Sequence, residues 1–340
     1  MRAAVLEEFH KPLVIRERAL PPPGPGEVTV AVKACGLCMT DVHISEGRIP
    51  TVALPRVPGH EFAGVVAALG PDVRDVGVGD RVVVCVDVNC GRCDFCLRGE
   101  TNRCPALVRI GFERDGGMAE AVNVPAANLE RLADAVGFEI AAVIPDAVAS
   151  MYRALVSQAA VGPGTRLAIL GVGGLGMQGV KIGRMLGAEV TCTDLDDRKL
   201  ARARSYGAAH TLNPAKDDFL AAARAGIGPF DVVVDNVGAK DGLMAAVAAC
   251  RNGGTVVAMG YVAPVLEIPS YEIVIREKRV IGSRAITRAE FRTLVAQVNR
   301  GALVPDIGEQ VPAARINQAL DDLRHGRTLA RTVLMMPFGA

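Results

Sequence analysis

The sequence has no tryptophan, and phenylalanine and tyrosine are so few that aromatics make up only 4% of its 340 residues. Any small-molecule pocket is therefore expected to be lined by aliphatic side chains. No run of Lys or Arg stands out and the formal net charge is +1, which argues against a nucleic acid or an anionic membrane as partner. No apolar stretch is long enough to span a bilayer. The first residues, MRAAVLEEFHKP, are broken by Glu7 and Glu8 and contain no apolar export core, so the expected location is the cytoplasm. Internal repeats and low-complexity tracts are also missing. What is present is an ordinary globular composition, 50% hydrophobic and 22% charged, at a length that suits two domains better than one.

The pattern changes partway along the chain. Up to residue 145, short β-branched runs alternate with Gly and Pro signals: EVTVAV at 27–32, FAGVVAAL at 62–69 and RVVVCV at 81–86, separated by PPPGPG at 21–26 and GVGD at 77–80. This reads as a mostly β, barrel-like domain. Beyond it, strand and helix patterns alternate strictly. RLAIL (166–170) precedes a helix with Leu175, Gly179, Ile182 and Leu186 on one face. EVTCT (189–193), a charged helix at 196–206, DVVVD (231–235), a helix near 240–251, TVVAMG (255–260) and RVIGSR (279–284) follow. Such alternation predicts a doubly wound parallel sheet over residues 146–286. A helix at 287–300 and a strand in ARTVLMM (330–336) are assigned back to the first domain, making it 1–145 plus 287–340.

The turn after RLAIL reads Gly171-Val172-Gly173-Gly174-Leu175-Gly176, and an acid follows at Asp194, eighteen positions after Gly176. A G-x-G-x-x-G turn between a buried strand and a helix is a dinucleotide signature. Gly171 permits the tight turn, Gly173 lets the backbone approach a pyrophosphate, and Gly176 lets the helix pack on the strand. The helix N-terminus offers free N–H groups and a positive dipole end to the phosphates. Asp194, ending the second strand, is suited to accept from both ribose hydroxyls and to repel a 2′-phosphate, so NAD is expected over NADP. Arg198 and Lys199 lie close enough to weaken that preference. The alternative is that these glycines only punctuate a loop and Asp194 caps a helix.

Nine cysteines are spread unevenly. Cys90, Cys93, Cys96 and Cys104 follow the spacing C-x2-C-x2-C-x7-C, which four thiolates around a tetrahedral zinc would satisfy with no position left open, the mark of a structural site. The intervening loop has little core of its own, so the metal would supply its order. An iron–sulfur cluster uses a similar ligand set, but nothing else points to electron transfer. Cys35, Cys85, Cys192 and Cys250 lie in apolar runs and read as core residues. His10, His210 and His325 lack a metal-ligand context.

Two further segments carry chemistry: Cys35-Gly36-Leu37-Cys38-Met39-Thr40-Asp41-Val42-His43 and Gly59-His60-Glu61. A catalytic zinc needs three protein ligands and one open position, and a thiolate and an imidazole are good candidates. With GLCMTDVH, PGHEFAG, the four-cysteine lobe, GVGGLG with Asp194, and Ala330-Arg331-Thr332-Val333-Leu334 in this order, the chain resembles the zinc-containing alcohol dehydrogenases of the medium-chain dehydrogenase/reductase superfamily over nearly its whole length. The resemblance implies a GroES-like, partly open β-barrel catalytic domain, a Rossmann domain, an active site in the cleft and a homodimer or homotetramer. It implies zinc-dependent hydride transfer between an alcohol and NAD, with one catalytic and one structural zinc per chain. By position, Cys38 and His60 match the first two catalytic zinc ligands, and Glu61 the adjacent carboxylate that binds the metal in some states. Asp41 matches the acid that orients the His60 ring. Thr40 matches the hydroxyl that takes the alcohol proton, and His43 the outer end of a relay through the ribose. The Gly171–Gly176 turn, including Gly174 and Leu175, with Asp194 and Lys199, matches the cofactor site, and Arg331 a residue that reaches the pyrophosphate from the other domain.

Two positions depart from the commonest family pattern. The third ligand, usually Cys, falls on Asp146 when the chain is anchored on Tyr152-Arg153-Ala154-Leu155. Related polyol and amino-alcohol dehydrogenases carry a carboxylate there, and the swap makes the ligand set harder. Asp146 also follows Pro145 and precedes AVASMYRALV, as a helix N-cap would; if it only caps, Glu61 would have to fill the gap. Met39 stands where the family often has a cation for the pyrophosphate. Two other functions stay open at this point: a polyol or hydroxy-amino-acid dehydrogenase, raised by Asp146, and a zinc- and nucleotide-binding protein without turnover.

Overall fold

Strand Glu27–Gly36 is paired along both edges, and all of its residues but Glu27, Ala31 and Lys33 are buried. The computed structural model that shows this describes residues 1–261, 265 and 267–338. Glu61–Leu69 runs antiparallel along one side of it, while Ala121–Pro125 and Val333–Met335 divide the other. The sheet continues through Arg81–Val84 to Leu129–Arg131 at one end and through Val333–Met335 to Gln310–Pro312 at the other. Val28, Val30, Phe62, Val82, Leu334 and Phe338 are among the residues that form its core. These strands belong to one unit, Met1–Ala149 together with the chain from Ile286 onward. Helix Arg288–Asn299 belongs to it too, opened by a reciprocal cap: Thr287 Oγ1 accepts from Glu290 N (3.3 Å) and Glu290 Oε2 from Thr287 N (2.8 Å).

The second unit, Ser150–Ala285, holds a six-stranded parallel sheet. From one edge the order is His210–Leu212, Glu189–Thr193, Arg166–Leu170, Phe230–Asp235, Cys250–Ala258 and Arg279–Gly282. Numbered along the chain this is 3-2-1-4-5-6, the order of a dinucleotide-binding sheet, with its switch point between the first and fourth strands. Leu167, Ala168 and Ile169 are fully buried, as expected of a strand covered on both faces. Helices Gly174–Met185, Asp197–Ser205 and Lys240–Ala249 connect the strands. Thus the GroES-like barrel plus Rossmann architecture expected from the sequence is the one observed.

Local differences have identifiable causes. The strand expected at 27–32 runs on to Gly36, because pairing with Val333–Met335 and Glu61–Leu69 extends it. The short strand His210–Leu212 and helix Ile316–Arg324 were not anticipated. The chain passes from the first unit to the second after Ala149, so Asp146 belongs with the β unit and not with the dinucleotide-binding one. The helical path there begins at Phe138, well before Asp146. Pro145 lacks the N–H that an α-helix needs, and the chain widens into a π-helical turn, Ile144–Val148, with Val148 N donating to Val143 O at 3.3 Å. Asp146 therefore sits inside a helical run and does not cap it; Val143 precedes the turn.

Candidate active site

Helix Met39–Ser45 starts at Cys38, whose extended backbone (φ −115°, ψ 154°) leads out of strand Glu27–Gly36. Asp41, 1% exposed, does two things there. Its Oδ2 accepts from Cys38 N at 2.9 Å, tying down the first turn of the helix. Its Oδ1 lies 3.3 Å from His60 Nδ1, which leaves the other ring nitrogen, Nε2, free to face the site. Phe112 packs against the imidazole with ring centroids 5.2 Å apart.

Three side chains from three segments meet beside that nitrogen. Asp146 Oδ2 is 3.5 Å from Cys38 Sγ and 3.7 Å from His60 Nε2. A tetrahedral zinc with Zn–S of about 2.3 Å and Zn–N or Zn–O of about 2.0–2.2 Å sets edges of roughly 3.3–3.6 Å between such ligands. The donor set thus fits a zinc ion. Glu61 brings a fourth: one donor atom from each of Cys38, His60, Glu61 and Asp146 falls within 4.8 Å of the others. Glu61 is fully buried. Its Oε1 accepts from Ala147 N at 3.1 Å and pairs with Arg331 Nη2 at 3.0 Å, while Oε2 has no partner among the described residues. Gly36 stands opposite Glu61 in the sheet, and any side chain there would strike that oxygen.

The electrostatics ask for a cation. Burial would lower the His60 imidazole, yet Asp41, Asp146 and Cys38 hold it well above its usual value. Burial drives the Glu61 carboxyl up to about 8 against the pull of Arg331, with Asp146 adding to the rise. Acidic groups in excess of cations take up protons unless a metal replaces them. Arg331, 4% exposed, is a guanidinium bonded to this cluster. It reaches Asp146 Oδ2 (3.4 Å) and donates to Leu37 O (3.3 Å) as well as pairing with Glu61. The resemblance had pointed this residue at a pyrophosphate; the structure has it turned onto the carboxylates.

Thr40 Oγ1 lies 3.4 Å from Cys38 Sγ. Three residues on, His43 shares that face of the helix and is half-buried. Burial, helped by Arg48, lowers its pKa below the usual imidazole value. Met39 is exposed.

The four-cysteine lobe is a second cluster. Its Sγ atoms pair at 4.0 Å (Cys90–Cys96) and 3.9 Å (Cys93–Cys104), near the roughly 3.8 Å edge of a zinc tetrahedron with four sulfurs. Backbone N–H groups of Arg92 and Cys93 pull the Cys90 thiol down to about 6, and burial pushes Cys96 up to about 12. All four donors lie within 4.8 Å of one another, so this set also fits a metal.

In the second unit the glycine turn leaves strand Arg166–Leu170 and opens helix Gly174–Met185, whose first N–H groups have no side-chain cap. A Cβ on Gly176 would collide with the Gly171 carbonyl; only glycine lets the helix come this close. Asp194 Oδ2 accepts from Val172 N and Oδ1 from Asp196 N, both at 3.0 Å. Arg198 is held by Asp196 through a paired contact (2.7 and 3.0 Å). Lys199 has no ion pair among the described residues. The uncapped turn and the fixed acid suit the pyrophosphate and ribose of a dinucleotide.

The sequence-based candidates thus gather in three places: Cys38, Thr40, Asp41, His43, His60, Glu61, Asp146 and Arg331 around one cluster, the four cysteines in a second, and the glycine turn with Asp194 and Lys199 in a third. Gly36 and Phe112 were missed. Neither belongs to a motif, and only strand pairing and ring packing reveal them.

Comparison with known proteins gives a consistent picture. Residues 24–134 match the alcohol dehydrogenase GroES-like domain, and residues 171–300 the zinc-binding dehydrogenase domain. An alcohol dehydrogenase of Geobacillus stearothermophilus is 36% identical over 98% of this chain and 99% of its own. The crystal structure of an NAD-dependent alcohol dehydrogenase superposes with a TM-score of 0.93 at 32% identity, covering 99% of this chain and all of that one. A cobalt- and zinc-bound thermostable alcohol dehydrogenase from Pyrobaculum aerophilum superposes with a TM-score of 0.90 at 30% identity, covering 99% of each chain.

Proposed function

The chain belongs to the zinc-containing medium-chain dehydrogenase/reductase family, and on that premise we propose which of its residues carry the oxidation of an alcohol by NAD. It is a zinc-dependent alcohol oxidoreductase, interconverting a small alcohol with its aldehyde or ketone. The observation that carries the assignment is the convergence of Cys38 Sγ and His60 Nε2 on Asp146 Oδ2 at 3.5 and 3.7 Å. Cys38, His60 and Asp146 hold the catalytic zinc, and Cys90, Cys93, Cys96 and Cys104 hold a structural one.

When bound, zinc supplies Lewis-acid polarisation of the substrate oxygen and NAD supplies the hydride acceptor. The rest falls to the chain. Asp41 keeps His60 Nε2 turned to the metal. Thr40 Oγ accepts the hydroxyl proton of the alcohol as it releases its own, and His43, whose imidazole burial and Arg48 hold below its usual pKa, is the base at the outer end of that relay. Arg331 neutralises part of the negative charge on Glu61 and Asp146, and it keeps Glu61 as a reserve carboxylate. Asp194 accepts from the adenosine ribose and disfavours a 2′-phosphate, so NAD is preferred to NADP. As part of this reading the enzyme works in the cytoplasm as a dimer or tetramer.

The test is NADH formation by the purified protein with NAD and a panel of primary alcohols, secondary alcohols, vicinal diols and hydroxy amino acids. Turnover is expected, with loss on removal of zinc by a chelator and recovery on adding it back. Tight NADH binding with no turnover on any member of the panel would overturn the reading in favour of a binding protein.

A further inference from the structure

Asn236 has no part in the chemistry above and belongs to no recognised motif. It follows strand Phe230–Asp235, and the register sets Asp235 beside Leu170, so Asn236 lies next to Gly171 at the switch point of the sheet. Its amide Nδ2 donates to Gly171 O at 3.1 Å. A carbonyl only accepts, so the amide must present its NH2 to it.

The next polar atom along the backbone is Val172 N, which donates to Asp194 Oδ2 at 3.0 Å. Gly171 O and Val172 N are the two ends of a single peptide group. That group is therefore gripped from both sides: from the second strand by Asp194 and from the fourth by Asn236. Asn236 is itself fixed. Its N–H donates to Leu170 O (3.1 Å), and Asp235, 1% exposed, accepts from Val237 N (2.9 Å) and Gly238 N (3.0 Å), folding the loop that carries it. Gly176 leaves the space the amide occupies; a Cβ there would come within 3.1 Å of Nδ2.

The physical need for such a clamp is plain. Gly171 supplies the turn because it lacks a side chain, and for the same reason its peptide is free to rotate. The N–H groups that follow would then point in no fixed direction, and ordering them would be charged against ligand binding. We propose that Asn236 is a positioning residue for the dinucleotide: it holds the Gly171–Val172 peptide so that the glycine turn is preformed for the pyrophosphate, with Asp194 as the opposing clamp. This rests on the reading that the turn takes NAD. It gives Asp194 a second duty beside its contact with the ribose, so its replacement should narrow the preference for NAD over NADP while leaving both bound more weakly than the unaltered protein binds NAD.

The test uses the full-length, zinc-loaded protein with Asn236→Ala, Asn236→Ser and the isosteric Asn236→Asp, read by NADH fluorescence titration and by competition with ADP, which carries the pyrophosphate without the nicotinamide half. Binding of NADH by the unaltered protein comes first; its absence would sink the NAD reading itself. Asn236→Ala should weaken NADH and ADP by about tenfold each, the worth of one hydrogen bond that orders a site. Asn236→Ser, which keeps a donor, should lose less than about threefold. Asn236→Asp, which sets a carboxylate against the carbonyl, should bind more weakly than Asn236→Ala. KM for NAD should rise with kcat not lowered. Equal losses in the Ala and Ser variants, unchanged affinity in Asn236→Ala, or a fall in kcat without a change in KM would each overturn the proposal. The Ser and Asp variants decide the matter if Asn236→Ala does not fold.

Discussion

Asp146 decides the character of the catalytic cluster. As the proposed third ligand it would be a harder donor than a thiolate, and it is reached at once by Cys38, His60 and Arg331. A buried guanidinium on a metal-ligating carboxylate competes with the metal for it, so the two must share its charge. Removing the carboxylate leaves two firm ligands, and Glu61, tied to Arg331 and Ala147 N, would have to break an ion pair to replace it. We expect Asp146→Ala to lower zinc from two to one per chain by metal analysis, and kcat/KM by on the order of a thousandfold. Asp146→Cys, which restores a soft ligand, should keep both metals. Full retention of two zincs in Asp146→Ala would mean that Glu61 is the working ligand.

At the scale of elements, the four-cysteine lobe depends most on something other than packing. Between Cys90 and Cys104 it has only the single-turn helix Asp94–Leu97 and the 3-10 turn Thr101–Arg103, and all its residues but Asn102 and Cys104 are exposed or half-exposed. The lobe is not isolated, however: Thr101 Oγ1 accepts from Arg288 N at 3.0 Å, at the very start of helix Arg288–Asn299. Loss of the metal should therefore loosen that helix end as well. Cys104→Ser is expected to lose one zinc, to be cut by protease within 90–104, and to cost stability on the order of 3 kcal/mol. Hydrogen exchange should speed up at residues 288–290 too. An unchanged melting point with one zinc missing would show that the lobe orders itself. The opposite kind of element is helix Gly174–Met185, whose close approach to its strand depends on Gly176 and on no ligand at all.

At the scale of the whole molecule, the two kinds of chemistry are built in separate units. Both donor sets that could hold a metal lie in the β unit; the glycine turn, Asp194 and Asn236 lie in the parallel-sheet unit. Among the described residues, the hydrogen bonds that fix the turn use none of the proposed metal ligands. Stripping both zincs is thus expected to abolish turnover while NADH binding persists, measured on the same sample by activity and by fluorescence. Simultaneous loss of both would show that the cofactor site depends on the metal-bearing unit for its shape.

Much of this could be read from the order of residues. The period of buried runs gave away the alternating strands and helices, because a doubly covered strand must be apolar throughout, and the C-x2-C-x2-C-x7-C and G-x-G-x-x-G spacings are local chemistry in which neighbours in sequence remain neighbours in space. Tertiary structure decided what depends on distant chain segments. Local sequence favours Asp146 as a ligand but leaves a helix cap open; the cap is excluded only by a helical run that begins at Phe138 and widens at Pro145. Arg331 carried no sign of its partners, since Glu61 and Asp146 are brought to it only by the fold. Asn236 reads as an ordinary loop residue, and its bond to Gly171 exists because parallel pairing sets the ends of two strands, far apart in sequence, side by side.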